Sequence, residues 1–408
     1  MTPPARAEGK LDIALELSGP RQNAVVSAVD IRSSRPLRAS QLFVGKTAEQ
    51  CLQLLPLLFN ICARAQSCAA VRAIEGALGL EPNAEVEAGR QALVDMESLR
   101  EHLWRIFLDW PGHFGAEPDR HSLAQVLKLQ QQFEGAMVKN APGEATLFCP
   151  GTKPVAIDQE KALAAVNALR DIVESTVLNG SCRQWSSLAD EKALGEWLQR
   201  PGGGTALLKY IVERGWRDSG HCNATPLPEF DTARASLLAD HMQRWDFIAQ
   251  PTWQGQCRET SSLQRNPGPL PADIRERGGN GLLARAAALV GDVVRLLQRL
   301  GSYVSGEREE AAGSNSYSPK PGQGLGMVSA ARGQLIHWLQ QEGNILSDYR
   351  ILAPTEWNFH PRGSVAGGLQ SLRGSVDSIR QQAALLIELA DPCVGYQLSL
   401  REGDAANA

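Results

Sequence analysis

The chain has 408 residues, 43% of them hydrophobic and 21% charged, and its 41 basic and 45 acidic side chains leave a net charge of −4. Such a composition excludes general disorder and a globally basic nucleic-acid surface, and there is enough chain to bury a core without disulfides. The longest apolar stretches, such as residues 52–63, are too short to cross a bilayer and are broken by Pro56 and Asn60. Residues 1–10 lack the apolar run of a secretory signal. The expectation is a soluble cytoplasmic protein with no membrane span and no nucleic-acid partner.

In chain order, residues 11–17 and 23–31 alternate apolar and polar side chains, which predicts a β-hairpin or meander turning at Gly19-Pro20. Thr47, with Gln50 three residues later, reads as the N-cap of a helix that Pro56 kinks or ends. Helical spacing continues at 64–78, closing near Gly79, and then at 85–109, 121–137, 159–177 and 190–199. After the break at Pro201-Gly202-Gly203-Gly204, further helices are expected at 205–214, 231–249 and 282–300. Residues 306–326, rich in Gly, Ser, Pro and charge, predict a mobile loop. Helices follow at 331–342 and 374–389, Asp391-Pro392 stops the last one, and residues 401–408 are expected to be a disordered tail. No clean linker divides the chain. The fold class is α+β, mainly helical, as one domain over 1–400 with a strand-rich start at 10–45 and a helical core at 46–400.

The eight cysteines (51, 62, 68, 149, 182, 222, 257 and 393) are too sparse for a disulfide scaffold, and none has CxxC spacing, so a structural zinc site has no support. No Lys-Ser/Thr completes a phosphate loop after the glycines, and HExxH and GxSxG are absent.

Four segments become informative together. They are Phe59-Asn60-Ile61-Cys62-Ala63-Arg64-Ala65-Gln66 leading into Val71-Arg72-Ala73-Ile74-Glu75; Glu259-Thr260-Ser261-Ser262-Leu263-Gln264-Arg265; Ala330-Ala331-Arg332-Gly333 with His337-Trp338 and Pro354 to Arg362; and Asp391-Pro392-Cys393-Val394-Gly395-Tyr396. In this order the set resembles the large subunit of nickel-iron hydrogenases over nearly the whole chain, most weakly at 140–250. That family carries CxxC before a VRAxE helix, then ETGxLAR, APRG…HW, PTxWNxSPRD and a terminal DPCxxCxxH.

The departures carry the argument. Cys62 falls on the second cysteine of the first motif, while Phe59 stands at the first and Gln66 at the motif's histidine. Cys393 matches the first cysteine of the last motif, Tyr396 replaces the second, and Ser399 replaces the terminal histidine. The acidic residue of an early RGxE element stands here as Gln41. In the family, four thiolates hold nickel, and two of them bridge to an iron carrying two cyanides and one carbonyl. Two thiolates are too few for a stable nickel site.

The resemblance implies a hydrogenase large-subunit-like helical core with a small N-terminal sheet, and Cys62 and Cys393 as ligands of a transient Fe(CN)2CO group. Their sulfurs would lie within about 4 Å of each other if they share one iron. Arg332 and the adjacent Ala331 would contact cyanide, and His360 takes the place of the serine that donates to the other cyanide. Cys68, Gln66, Glu259 and Arg362 are auxiliary candidates. Packing is the competing reading of Cys62, Cys68 and Cys393, because buried cysteine behaves as a small hydrophobe. Cys257 could approach the site without being required there, and His337-Trp338 reads as architectural.

The partial ligand set resembles the HupK/HoxV type of hydrogenase maturation protein, a non-enzymatic assembly scaffold. It implies as partners a small chaperone, the cyanide-loading complex and the apo large subunit of a nickel-iron hydrogenase. Without the terminal histidine, no nickel-triggered C-terminal cleavage is expected. The alternatives are a metal-free chaperone or binding module for the immature hydrogenase, and a hydrogenase with an unusual site.

Overall fold

A computed structural model describes residues 9–138, 147–200, 203–223, 225–265, 268–307 and 315–402. Its strands, in chain order, are β1 (Leu11–Ser18), β2 (Ala24–Ser33), β3 (Thr225–Pro226), β4 (Arg258–Glu259), β5 (Ser316–Tyr317), β6 (Gln323–Ala330), β7 (Gly333–Glu342), β8 (Ile345–Leu352), β9 (Arg373–Gly374) and β10 (Tyr396–Glu402). The expected hairpin is β1 and β2, turning at Gly19 with φ +88°. β10 adds parallel to β1 and β9 caps the far edge, giving the order β10-β1-β2-β9. The first and last strands thus lie side by side in one sheet. Residues 401 and 402 belong to β10 rather than to a disordered tail, because pairing with Glu16 and Leu17 satisfies their backbone. The rest of that tail, 403–408, lies outside the described residues.

A second four-stranded sheet, in the order β5-β6-β7-β8, overturns two expectations. Residues 333–342 form a strand instead of a helix. β7 is central and buried on both faces, so the alternation that marks a half-exposed strand is lost and its apolar run imitates a helix. Ile336 and Trp338 face a cluster with Leu238, Met242, Phe247 and Trp253. Leu339 faces the opposite cluster with Ala70, Ala73 and Ile74.

The loop expected at 306–326 contains β5 and the start of β6, and of its length 308–314 lie outside the described residues. Its glycines serve packing. A Cβ at Gly326 would stand 2.0 Å from the Ala69 carbonyl oxygen, and one at Gly324 would stand 1.6 Å from that of Ala73. The helix Ala63–Leu78 therefore lies backbone to backbone on β6, an approach open only to glycine on the strand and small residues on the helix.

Most predicted helices are present. Thr47 and Gln50 make a capping box on Ala48–Leu58, which runs two residues past Pro56, and Gly79 closes Ala63–Leu78 with φ +65°. The expected 85–109 helix is Ala84–Trp104 followed by a π-turn over Arg105–Asp109. Residues 231–249 divide into Thr232–Met242 and Trp245–Ala249. Leu282–Ser305 is buried on nearly every side and packs on Ala84–Trp104 and Gln159–Ile172. Among the described residues no single helix is long and apolar enough to cross a membrane.

Candidate functional site

Cys62 ends the short turn Asn60–Cys62 and immediately precedes the helix Ala63–Leu78. That helix has no cap from its own N-cap side chain. Instead Glu97, reaching from Ala84–Trp104, accepts from the backbone N–H of Arg64 at 2.8 Å and of Ala65 at 3.1 Å. One turn on, Gln66 Nε2 donates to the Cys62 sulfur at 3.7 Å. Gln66 Oε1 meets His337 Nε2 at 2.9 Å, and His337 Nδ1 meets the Tyr349 hydroxyl at 2.8 Å. Burial drives the His337 imidazole down to about 3, so it is neutral near pH 7. A neutral ring that donates through Nε2 to Gln66 accepts the Tyr349 proton at Nδ1.

Cys393 follows Asp391, which ends the helix Val376–Ala390 in a left-handed conformation, φ 49°. The Thr355 hydroxyl donates to the Cys393 sulfur at 3.2 Å. Arg332 Nη2 donates to Glu101 Oε2 at 2.8 Å and its Nε lies 3.1 Å from Asp391 Oδ2. Asp391 is shared with Arg105, whose Nε donates to it at 2.8 Å. Burial opposes the charge on Arg332, but Asp391 and Glu101 outweigh it, and the guanidinium is held more firmly protonated than usual.

The two thiols meet one electrostatic environment. Burial pushes Cys62 up to about 12; Glu97 adds to the rise, Arg332 opposes it and Cys393 adds to it. Both cysteines are half-buried, and both act on Arg332 and on Arg35. Residues 331 positions apart thus act on the same two guanidiniums. Among the described residues no three His, Cys, Asp or Glu side chains form a group that could hold a metal ion.

The motif segments converge through their own cross-links. Asn358 Oδ1 accepts from Thr260 N at 2.9 Å while its Nδ2 donates to the Arg332 carbonyl oxygen at 3.1 Å. Gln334 N donates to Thr260 Oγ1 at 2.8 Å, and Arg265 Nη2 donates to the Ala331 carbonyl oxygen at 2.7 Å. Gly333, with φ +128°, passes so close that a Cβ would stand 1.9 Å from the Thr260 carbonyl oxygen.

Several candidates stand elsewhere. Cys68 is fully buried beside Arg72, Glu87, Arg90 and Glu75, a charge cluster on the helix face away from Cys62, and burial raises it to about 11. Glu259 is committed to Arg285, at 2.5 and 3.1 Å; burial works against its charge and Arg285 more than compensates, holding the carboxyl below its ordinary range. Arg362 is exposed. His360 is buried, but its Nδ1 accepts from Arg362 N at 3.0 Å and lies 3.3 Å from the Cys257 sulfur. Burial, and then Arg362, lower its pKa. Cys257 thus pairs with His360, not with Cys62 or Cys393. Gln41 donates to Asp348 and to the Tyr349 carbonyl. The Tyr396 hydroxyl donates to Glu388 at 3.2 Å, and Ser399 sits in β10 opposite Ala14.

Sequence reasoning did not find Arg35, Glu97, Glu101, Thr355 and Glu356. Only Thr355 and Glu356 lay inside a motif; the others are ordinary charged residues whose spacing carries no signal. Arg35 Nη1 pairs with Glu356 Oε1, and Glu356 Oε2 accepts from Ala353 N at 3.1 Å.

A family model described as nickel-dependent hydrogenase matches residues 283–372. The hydrogenase expression/formation protein HoxV of Cupriavidus necator is 30% identical over 391 residues, 93% of this chain and 95% of its own. The hydrogenase expression/formation protein HupK of Rhodobacter capsulatus is 40% identical over 372 residues, covering 91% and 92%. The uptake hydrogenase large subunit of Rubrivivax gelatinosus matches more locally, 32% over 92 residues, 21% of this chain and 15% of its own. Among solved structures, the Ni-Fe-Se hydrogenase from D. vulgaris Hildenborough aligns with a TM-score of 0.63 at 16% identity, over 91% of this chain and 95% of that one. An NAD+-reducing [NiFe]-hydrogenase aligns at 0.60 with 13% identity, over 91% and 94%. The relatives matching along the whole chain carry maturation names, while the solved neighbours share the architecture. The chain belongs to the HoxV/HupK family of hydrogenase expression/formation proteins, built on the fold of the nickel-iron hydrogenase large subunit.

Proposed function

We propose that this protein is a non-enzymatic, cytoplasmic scaffold that carries an Fe(CN)2CO unit as cargo and delivers it to the apo large subunit of a nickel-iron hydrogenase. The observation that carries this reading is the shared environment of Cys62 and Cys393 beside Arg332. Two thiolates suit low-spin iron whose remaining positions are filled by diatomic ligands, and they lack the four-sulfur geometry that retains nickel. Arg332 Nη1 makes no hydrogen bond among the described residues, which leaves a charged N–H group for an anionic ligand. Binding must displace the Cys62 proton, so uptake depends on pH and is reversed by acid. A small chaperone and the cyanide-loading complex are the partners this cargo requires.

Anaerobic purification together with those maturation proteins, followed by infrared spectroscopy, tests the reading. Cyanide and carbonyl bands that copurify with the folded protein are expected. A folded, maturation-competent preparation without them rejects cargo carriage.

A second reading, a metal-free escort of the immature hydrogenase, draws on a different observation. Leu54, Leu57, Leu58 and Ile61 are exposed just ahead of Cys62, an apolar rim that suits protein contact. It requires no thiol, so replacement of both cysteines separates the two readings.

A further inference from the structure

The pocket contains a second guanidinium that the motif pattern does not mark. Arg35 lies just beyond β2, and its side chain retains 15% of its surface while its partner Glu356 retains 5%. Nη1 is taken by Glu356. Nε and Nη2 make no hydrogen bond among the described residues.

The anchor is placed to matter. Glu356 belongs to the short helix Pro354–Asn358, whose Thr355 donates to the Cys393 sulfur and whose Asn358 holds the Arg332 carbonyl. One short helix therefore contacts the Cys393 thiol, the Arg35 guanidinium and the Arg332 backbone. Burial disfavours charge on Arg35, whereas Cys393, then Glu356 and Cys62, strengthen it.

Resting on the scaffold reading, we infer that Arg35 is a positioning and specificity residue of the Cys62–Cys393 site, donating its uncommitted N–H groups to a cyanide nitrogen of the cargo. This is the role that position 360 was expected to fill. His360 Nδ1 accepts from Arg362 N while its buried Nε2 makes no hydrogen bond among the described residues, so Arg35 would add charged donors beside that ring rather than replace it. With Nη1 of Arg332 and Nε and Nη2 of Arg35 uncommitted among the described residues, two guanidiniums would offer charged donors to the two cyanides. A cyanide nitrogen is a compact anionic acceptor, and hydrogen bonds from a guanidinium are about twice as strong as neutral ones. Carbonyl is a poor acceptor, so such donors discriminate between the diatomic ligands.

A purely structural clamp on Glu356 is the competing role. The two are separated by infrared spectra of the wild type, Arg35→Gln and Arg35→Lys, each purified anaerobically with the maturation proteins. Arg35→Lys keeps the ion pair with Glu356 and the fold while losing the planar fork, so it covers the case in which Arg35→Gln fails to fold. Both variants should shift one cyanide band while the carbonyl band moves less, and both should release iron faster on dilution into chelator. Cyanide bands at wild-type positions in the folded variants overturn the assignment of Arg35 and leave the scaffold reading standing. A wild type without any such bands overturns both.

Discussion

The hydroxyl of Thr355 donates to the sulfur of Cys393 at 3.2 Å and also accepts from the Cys393 backbone N–H at 3.4 Å. This double contact ties the segment after the last helix to the turn that orients Arg332 and Glu356. Cys393 is thereby held in place by hydrogen bonds from the chain itself.

Cys62→Ala and Cys393→Ala should each abolish copurifying iron and stop maturation of the served hydrogenase. Both residues are half-buried, so the cost in stability should be about 1 kcal/mol. Hydrogen uptake by cells expressing each variant, with thermal unfolding of the purified protein, checks both halves. Normal uptake with both cysteines replaced selects the metal-free escort instead.

Gln66→Leu removes the donor to Cys62 and leaves His337 Nε2 facing an apolar side chain. A buried N–H without a partner costs about 1–3 kcal/mol. Urea unfolding should show a loss of that size, with iron retention weakened but not eliminated. An unchanged midpoint means that the His337–Gln66 contact contributes nothing.

The same histidine sets a pH window. Its folded pKa of about 3 lies below the ordinary 6.5, so the unfolded chain takes up a proton first as pH falls. The stability from His337 is complete above about pH 6.5 and declines as pH drops toward 3, by at most about 1.4 kcal/mol per pH unit. Urea midpoints measured between pH 7 and 4 should fall less steeply in His337→Phe than in the wild type. Parallel slopes would show that other groups control acid unfolding.

Gly326→Ala places a methyl 2.0 Å from the Ala69 carbonyl oxygen and 2.4 Å from Ala73 N, both backbone atoms that cannot swing aside. The helix bearing Cys62 must lift from β6, at a cost of about 3 kcal/mol. Circular dichroism should show a lower melting temperature, and the variant should load less iron than the wild type. Wild-type melting would mean that helix and strand can separate freely.

How much of this was legible beforehand varies by segment. The hairpin at 11–31, the capping box at Thr47 and the helix closing at Gly79 were readable because local hydrogen bonds and periodicity decide them. β7 was read as a helix, and the glycines of β6 as a mobile loop, because burial on both faces and backbone-to-backbone contact are properties of the partner and not of the segment. Motif register is what marks Cys62, Cys393 and Arg332 as candidates in the sequence. Arg35, Glu101 and Glu97 were missed because a charge recruited from another part of the fold has no local pattern.

The order of the motifs sufficed to determine the family, since side-chain chemistry is written residue by residue. Which charges surround the Cys62 and Cys393 sulfurs was decided by the tertiary structure alone. Strand pairing brings β1 and β10 together, helix packing aims Glu97 and Glu101, and Arg35 reaches Glu356 from the segment after β2. Burial first, and then Glu97, raise the proton affinity of Cys62, while Arg332 opposes them.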